Sequence, residues 1–387
     1  MEVREVLKKY RINANKNEAW FFNIFKPLFL IGMLFFIGAG DAFSEETRTF
    51  YPRIGGGIIF RLAHDNDYRV EGSGVEATDL SLRMEARPNL QLSERLRIDS
   101  EIRLEGARPA TDNRFFDEQA LFVRKLFAEF DVTDDLSLHA GKTTPSFAFF
   151  SLRVPGMYGN EYSREIELIE RISLGADYTF DLADAGKHKL SATSFYQDTT
   201  ILSDSLFASR GQTNVTDGGA SNTESFESVA IALEGTKIAA LPDFTYKLAY
   251  LREARGAGDA ADENGFLFGA FQSVDLKESG KLDLVGEFAY LSNFEGSADD
   301  IMYISGASTY SVGPWRGVFS GTYRPRNTAD GEDFNDYQVQ TAISYSFTKD
   351  LSLEVAHEFT RDQNESANRI GLRLNLNVDL ESLNEIF

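Results

Sequence analysis

His64 beside Asp65 is the one pairing here with the residue types of a hydrolytic site: an imidazole to move a proton and a carboxylate to orient it. The other histidines are His139, His188 and His357, none in an HExxH spacing, and cysteine is absent. Thiol catalysis, a disulfide scaffold and Cys-ligated zinc are excluded. We expect no catalytic residue, no metal site and no cofactor. Acidic stretches (Asp204; Asp259, Asp262, Glu263; Asp299, Asp300; Asp330, Glu332, Asp333) lack the spacing of a Ca²⁺ helix–loop–helix and read as solvated loops.

A second set is ionic. Arg61, Arg83, Arg87, Arg97, Arg103 and Arg373 fall on the polar face of alternating stretches. Fixed positive charge along one wall selects ions by sign. Glu161, Glu165 and Glu167, with Arg164 among them, form an acidic cluster in a long connection. An acidic loop facing a basic wall would set up a transverse field. Glu85, Asp99, Glu101 and Glu105 interleave with the arginines, so cross-strand neutralisation is the other reading.

The elements that must hold these groups are strands. IGLRLNLNVDL, residues 370–380, puts Ile370, Leu372, Leu374, Leu376, Val378 and Leu380 on one face. Gly371, Arg373, Asn375, Asn377 and Asp379 take the other. Such a run is long enough to cross a bilayer at a tilt, whereas a strand of a soluble sheet averages about five or six residues. The signal recurs with centres near residues 59, 85, 100, 125, 140, 174, 193, 230, 249, 270, 286, 306, 319, 341, 355 and 375. Near 125, 230 and 306 either face could be the apolar one. Tight turns alternate with polar stretches at 65–78, 106–118, 145–167, 199–224, 254–264, 293–299, 325–334 and 361–368. That is the loop pattern of a transmembrane β-barrel.

Charge and leader agree. Asp and Glu number 60 against 39 Lys and Arg, a formal charge of −21, which argues against nucleic acid as a partner. LFLIGMLFFIG, residues 28–38, follows a basic segment and precedes Ala39, Gly40 and Ala42. This reads as a secretory signal peptide, with an uncleaved anchor as the alternative, and is expected to be cleaved after Ala42, leaving 43–387 as the barrel. Residues 1–42 carry six basic and four acidic side chains, so cleavage takes the formal charge to −23.

The pattern resembles the bacterial general porins, over residues 50–380. LSLHAGKTTPSFAFF, residues 136–150, is its most specific local piece. The resemblance implies an all-β, transmembrane antiparallel β-barrel of about sixteen strands, its third external loop (145–167) folded inward. It also implies an outer-membrane lipid environment and a homotrimer. It implies a water-filled channel for small hydrophilic solutes. The alternatives are a substrate-specific porin for a small anion or acidic solute, an outer-membrane barrel enzyme, and a secreted soluble β-protein. The sequence departs from the family in lacking a PEFGGD-like loop motif and in its irregular end, where Glu381, Ser382, Asn384 and Glu385 interrupt alternation before Phe387. Trp315, Tyr323, Tyr345, Phe347, Tyr178 and Phe180 fall near strand ends, as an interfacial aromatic girdle would.

Overall fold

The computed structural model describes residues 51–380 apart from residue 73. The expected leader, 1–42, and the tail ending at Phe387 lie outside the described residues. Sixteen strands follow in order: β1 Arg53–Tyr68, β2 Thr78–Gln91, β3 Leu96–Gly106, β4 Gln119–Asp131, β5 Leu136–Thr143, β6 Arg171–Asp181, β7 Lys187–Gln197 and β8 Ser228–Thr236. Then come β9 Phe244–Glu253, β10 Glu263–Asp275, β11 Lys281–Ser292, β12 Asp300–Val312, β13 Trp315–Asn327, β14 Asp333–Ser346, β15 Leu351–Asp362 and β16 Glu365–Asp379. Each pairs antiparallel with the next, and β1 pairs with β16 to close the barrel, Leu62 opposite Leu374. All sixteen expected centres fall inside these strands.

The barrel is apolar outside and polar inside. Leu62, Leu174, Leu248, Phe268, Phe319, Ile343 and Leu374 point outward and are between 39 and 56 % exposed. Their inward neighbours Glu85, Ser320, Gln340 and Glu354 are buried. Water would penalise so continuous an apolar belt by about 25 cal/mol per Å², whereas hydrocarbon favours it. No helix of the described residues is long and apolar enough to cross a membrane. On the turn side Trp315 meets Tyr345 with ring centroids 4.8 Å apart, and Tyr345 meets Phe347 at 5.2 Å. Tyr178 stacks on Phe180 at 5.8 Å. These are the residues expected for a girdle on that side.

Two strands fall short, and loops complete the wall. β3 ends at Gly106, so the outer edge of β2 pairs instead with Arg114 and Phe115. β5 ends at Thr143, and the outer edge of β4 pairs with Leu206 and Phe207. Both pieces satisfy edge N–H and C=O groups that would otherwise stand open.

The last expected connection is corrected. Residues 361–368 are not a long loop. β15 and β16 run through them to a two-residue turn, Gln363 and Asn364, with φ of 47° and 69°. Two consecutive left-handed residues suit the twist of a tight hairpin. Polar sequence here marks strand outside the apolar belt, not irregular backbone.

Candidate functional site

The inward wall formed by β16, β1, β2 and β3 carries all six expected arginines, but each is held by a carboxylate. Arg103 Nε lies 2.6 Å from Glu101 and its Nη2 lies 3.2 Å from Glu85. Arg61 reaches Glu85 at 3.5 Å, and Arg83 reaches Glu105 at 3.3 Å. Arg87 bridges Glu85 and Glu101. Arg97 meets Asp99 at 2.8 Å and Glu129 at 2.7 Å, and Arg373 meets Glu354 at 2.9 Å. Arg61 and Arg83 sit directly opposite each other in the β1–β2 ladder, a repulsive cross-strand pair that these carboxylates offset.

One added pair of cations was hidden from the sequence. The β3–β4 ladder shifts register between Glu101 and Ile102, which leaves Arg124 as the extra residue. The bulge turns Arg124 and Lys125 to the same face, and both reach Glu101, at 3.3 and 3.9 Å. A bulge reverses parity along its strand, which is why neither face near residue 125 reads as apolar throughout.

The connection between β5 and β6, residues 144–170, contacts inward-facing side chains of many strands. Glu287 on β11 accepts from the backbone N–H of both Phe149 and Phe150, each at 2.8 Å. Gln340 on β14 accepts from Tyr158 N at 2.7 Å. The Tyr158 hydroxyl donates to Asp65 on β1. Phe147, Phe149 and Phe150 are fully buried against Ala230, Ala249, Leu267, Ala289, Ile301 and Tyr303. The inner faces of β8 and β12 are therefore apolar too, which is why alternation near 230 and 306 is ambiguous. Gly265 and Gly269 on β10 leave room for Phe147 and Phe149.

The acidic residues of this connection do not face the six arginines. Glu161 pairs with Arg369 at 3.1 Å, Glu165 with Arg324 at 2.5 Å, and Glu167 with Arg124 at 2.8 Å. Arg369 also holds Asp67 at 2.6 Å and Glu358 at 3.2 Å, and Arg324 holds Asp336 at 2.8 Å and Asp362 at 2.7 Å. Burial pushes the Glu165 carboxyl up, and Arg324 opposes that. Burial likewise raises the hydroxyls of Tyr158 and Tyr162. Arg124, Arg324 and Arg369 are the residues that sequence reasoning missed. Parity would have found two of them, since Arg369 shares a face with Arg373 and Arg324 follows the buried Ser320 and Thr322.

His64 and Asp65 are separated by the strand they share. His64 is exposed on the outward side, opposite Leu80 and Leu372, while Asp65 faces Tyr158. Alternation puts neighbours on opposite faces, so the pair forms no dyad. The described residues contain no group of three or more His, Cys, Asp or Glu arranged to hold a metal.

No protein-family model and no curated protein matches the chain. Solved structures do. Pseudomonas putida OprB in a high-pH structure superposes with a TM-score of 0.60 at 12 % identity, over 84 % of this chain and 94 % of that one. Salmonella typhi OmpF, in a complex with daunomycin, gives 0.59 at 12 % identity, over 84 and 98 %. The outer membrane channel DcaP of Acinetobacter baumannii gives 0.55 at 13 % identity, over 84 and 96 %. At such identities the likeness is one of fold. In fold, the chain is a porin-like β-barrel: sixteen antiparallel strands, closed, with an apolar exterior and a charged interior.

Proposed function

We propose that this chain forms a water-filled channel in a bacterial outer membrane, through which small hydrophilic solutes and ions diffuse passively. The observation that carries this reading is the inversion of polarity in a closed barrel: exposed leucines and phenylalanines outside, ion-paired arginines and glutamates inside. A barrel of this size encloses space that side chains alone do not fill. The 144–170 connection lies in that space and narrows it, held by Glu287, Gln340, Arg324 and Arg369. The wall arginines then act as fixed, largely compensated charge. That pairing supports general diffusion over an anion-specific ladder, because an anion would have to displace a carboxylate already in place.

No bond chemistry is needed for this role, and the split of His64 from Asp65 removes the one hydrolytic pairing the sequence offered. The resemblance to general porins extends the proposal to export by a cleaved leader and to a homotrimer. Liposome swelling tests the reading. Vesicles loaded with the protein should swell in arabinose or glucose and progressively less in larger oligosaccharides. Swelling no faster than protein-free vesicles in every sugar would contradict it.

A further inference from the structure

Behind residues 165–168 of the inward connection is a cavity of about 510 Å³, bounded also by residues 210–220 of the β7–β8 connection and by the loop-side ends of β9, β10 and β11. Binding sites for small molecules span about 300–1,000 Å³. Its chemistry is two-sided. Glu253 and Glu263 stand directly opposite each other across the β9–β10 ladder, 4 and 3 % exposed. Arg171 reaches Glu253 at 3.3 Å. Glu263 takes the backbone N–H of Glu295 at 2.6 Å and has no ion pair within 4 Å among the described residues. Two buried carboxyl groups thus share one guanidinium between them.

The donor side is also incomplete. Arg171 Nε and Arg210 Nη1 are buried and lack a hydrogen-bond partner among the described residues. Arg210 is held in place by Glu170 at 2.7 Å and by the Phe122 ring at 3.5 Å, so its remaining nitrogen is fixed. Leu251, Leu291 and Phe294 line the same cavity and are buried.

We propose that this cavity binds a small zwitterion of amino-acid size: its ammonium on Glu253 and Glu263, its carboxylate on Arg171 and Arg210, and an apolar side chain against Leu251 and Phe294. A simple amine leaves the two guanidinium nitrogens unpaired. A simple carboxylate brings no donor to the Glu253 and Glu263 side. Only a solute with both groups satisfies both sides, and buried polar groups left unmatched are what reject an analogue most strongly. The proposal rests on the channel reading, which supplies the solute's route to the cavity.

Equilibrium dialysis of the purified full chain in detergent, with labelled L-leucine as probe, tests it. Leucine should bind saturably, and 3-methylbutylamine and 3-methylbutanoate should each compete at least about tenfold less well, the factor for about 1.4 kcal/mol of lost interaction. Arg210→Gln should bring leucine down to the level of the amine, and Glu263→Gln should bring it down to the level of the acid. If either variant fails to fold, competition on the wild-type protein still decides. Equal competition by all three compounds, or no saturable leucine binding by a preparation that conducts ions, overturns the site and leaves the channel standing. Saturable leucine binding by a barrel that passes no ions keeps the site and overturns the channel.

Discussion

The Phe149 ring lies against the bare Cα of Gly269: a Cβ built on that glycine would come within 2.4 Å of the ring. Phe149 is fully buried there, and its backbone N–H is held at the same time by Glu287 on the neighbouring strand. The glycine and the glutamate together fix where the 144–170 connection meets the wall. Gly269→Val should therefore unseat it, at a cost of about 1–3 kcal/mol, the range for overpacking. The unfolding midpoint in a denaturant titration measures this, and Gly269→Ala should cost less.

Glu287 gives a second, independent test of the same seat. Glu287→Leu removes the acceptor for two buried N–H groups, each worth about 1–3 kcal/mol when left unsatisfied. Glu287→Gln keeps an acceptor and should be much milder. Equal losses in the two variants would show that the hydrogen bonds do not hold the connection.

The exterior belt makes a parity prediction. Leu374 is exposed and opposite Leu62 and Leu353, while Asn375 lies inward beside Ser352 at 3.4 Å. Leu374→Arg should destabilise the barrel by about 2–4 kcal/mol if it sits near the bilayer midplane. Asn375→Ser should change little. A larger loss from Asn375→Ser would reverse the assignment of faces.

Charge on the paired wall should still be felt in transport. Replacing Arg83, Arg87 and Arg97 together by Gln leaves Glu85, Glu105, Asp99 and Glu129 with fewer partners. Cation preference should rise, read from the reversal potential under one fixed salt gradient. The shift should be larger at 0.1 M salt, where the Debye length is about 10 Å, than at 1 M, where it is about 3 Å. No shift at either concentration would mean that these side chains lie off the ion path.

Acid should loosen one external connection before the barrel. Asp299 accepts from Ala329 N at 2.9 Å and from Arg326 at 2.6 Å, and these contacts hold its carboxyl below the usual range. A depressed folded value gives stability that is present above the unfolded value, about pH 3.9, and is lost as pH falls through the folded one. Residues 328–332 should resist pepsin at about pH 4 and be cut at about pH 2. Asp299→Asn should be cut at both.

Most of the fold was legible because a barrel wall repeats one rule, polar inward and apolar outward. The exceptions have physical causes. The bulge at Arg124 reverses parity within a strand, so no single period fits β4. Ala230, Ile301 and Tyr303 are inward yet apolar because Phe147, Phe149 and Phe150 cover them. The partners of Glu161, Glu165 and Glu167 were not legible, because which arginine a long connection meets depends on its path through three dimensions. Arg369 lies just before the apolar run 370–380 and next to the polar stretch 361–368, which is strand and tight turn rather than a long loop.

Single-channel recording of the unmodified protein in a planar bilayer tests the central claim most directly. A channel predicts discrete current steps, ohmic at low voltage, with a modest cation preference that weakens as salt rises. A folded barrel that inserts and shows no steps at any voltage or salt concentration would mean that the 144–170 connection closes the interior, and the diffusion reading would fall.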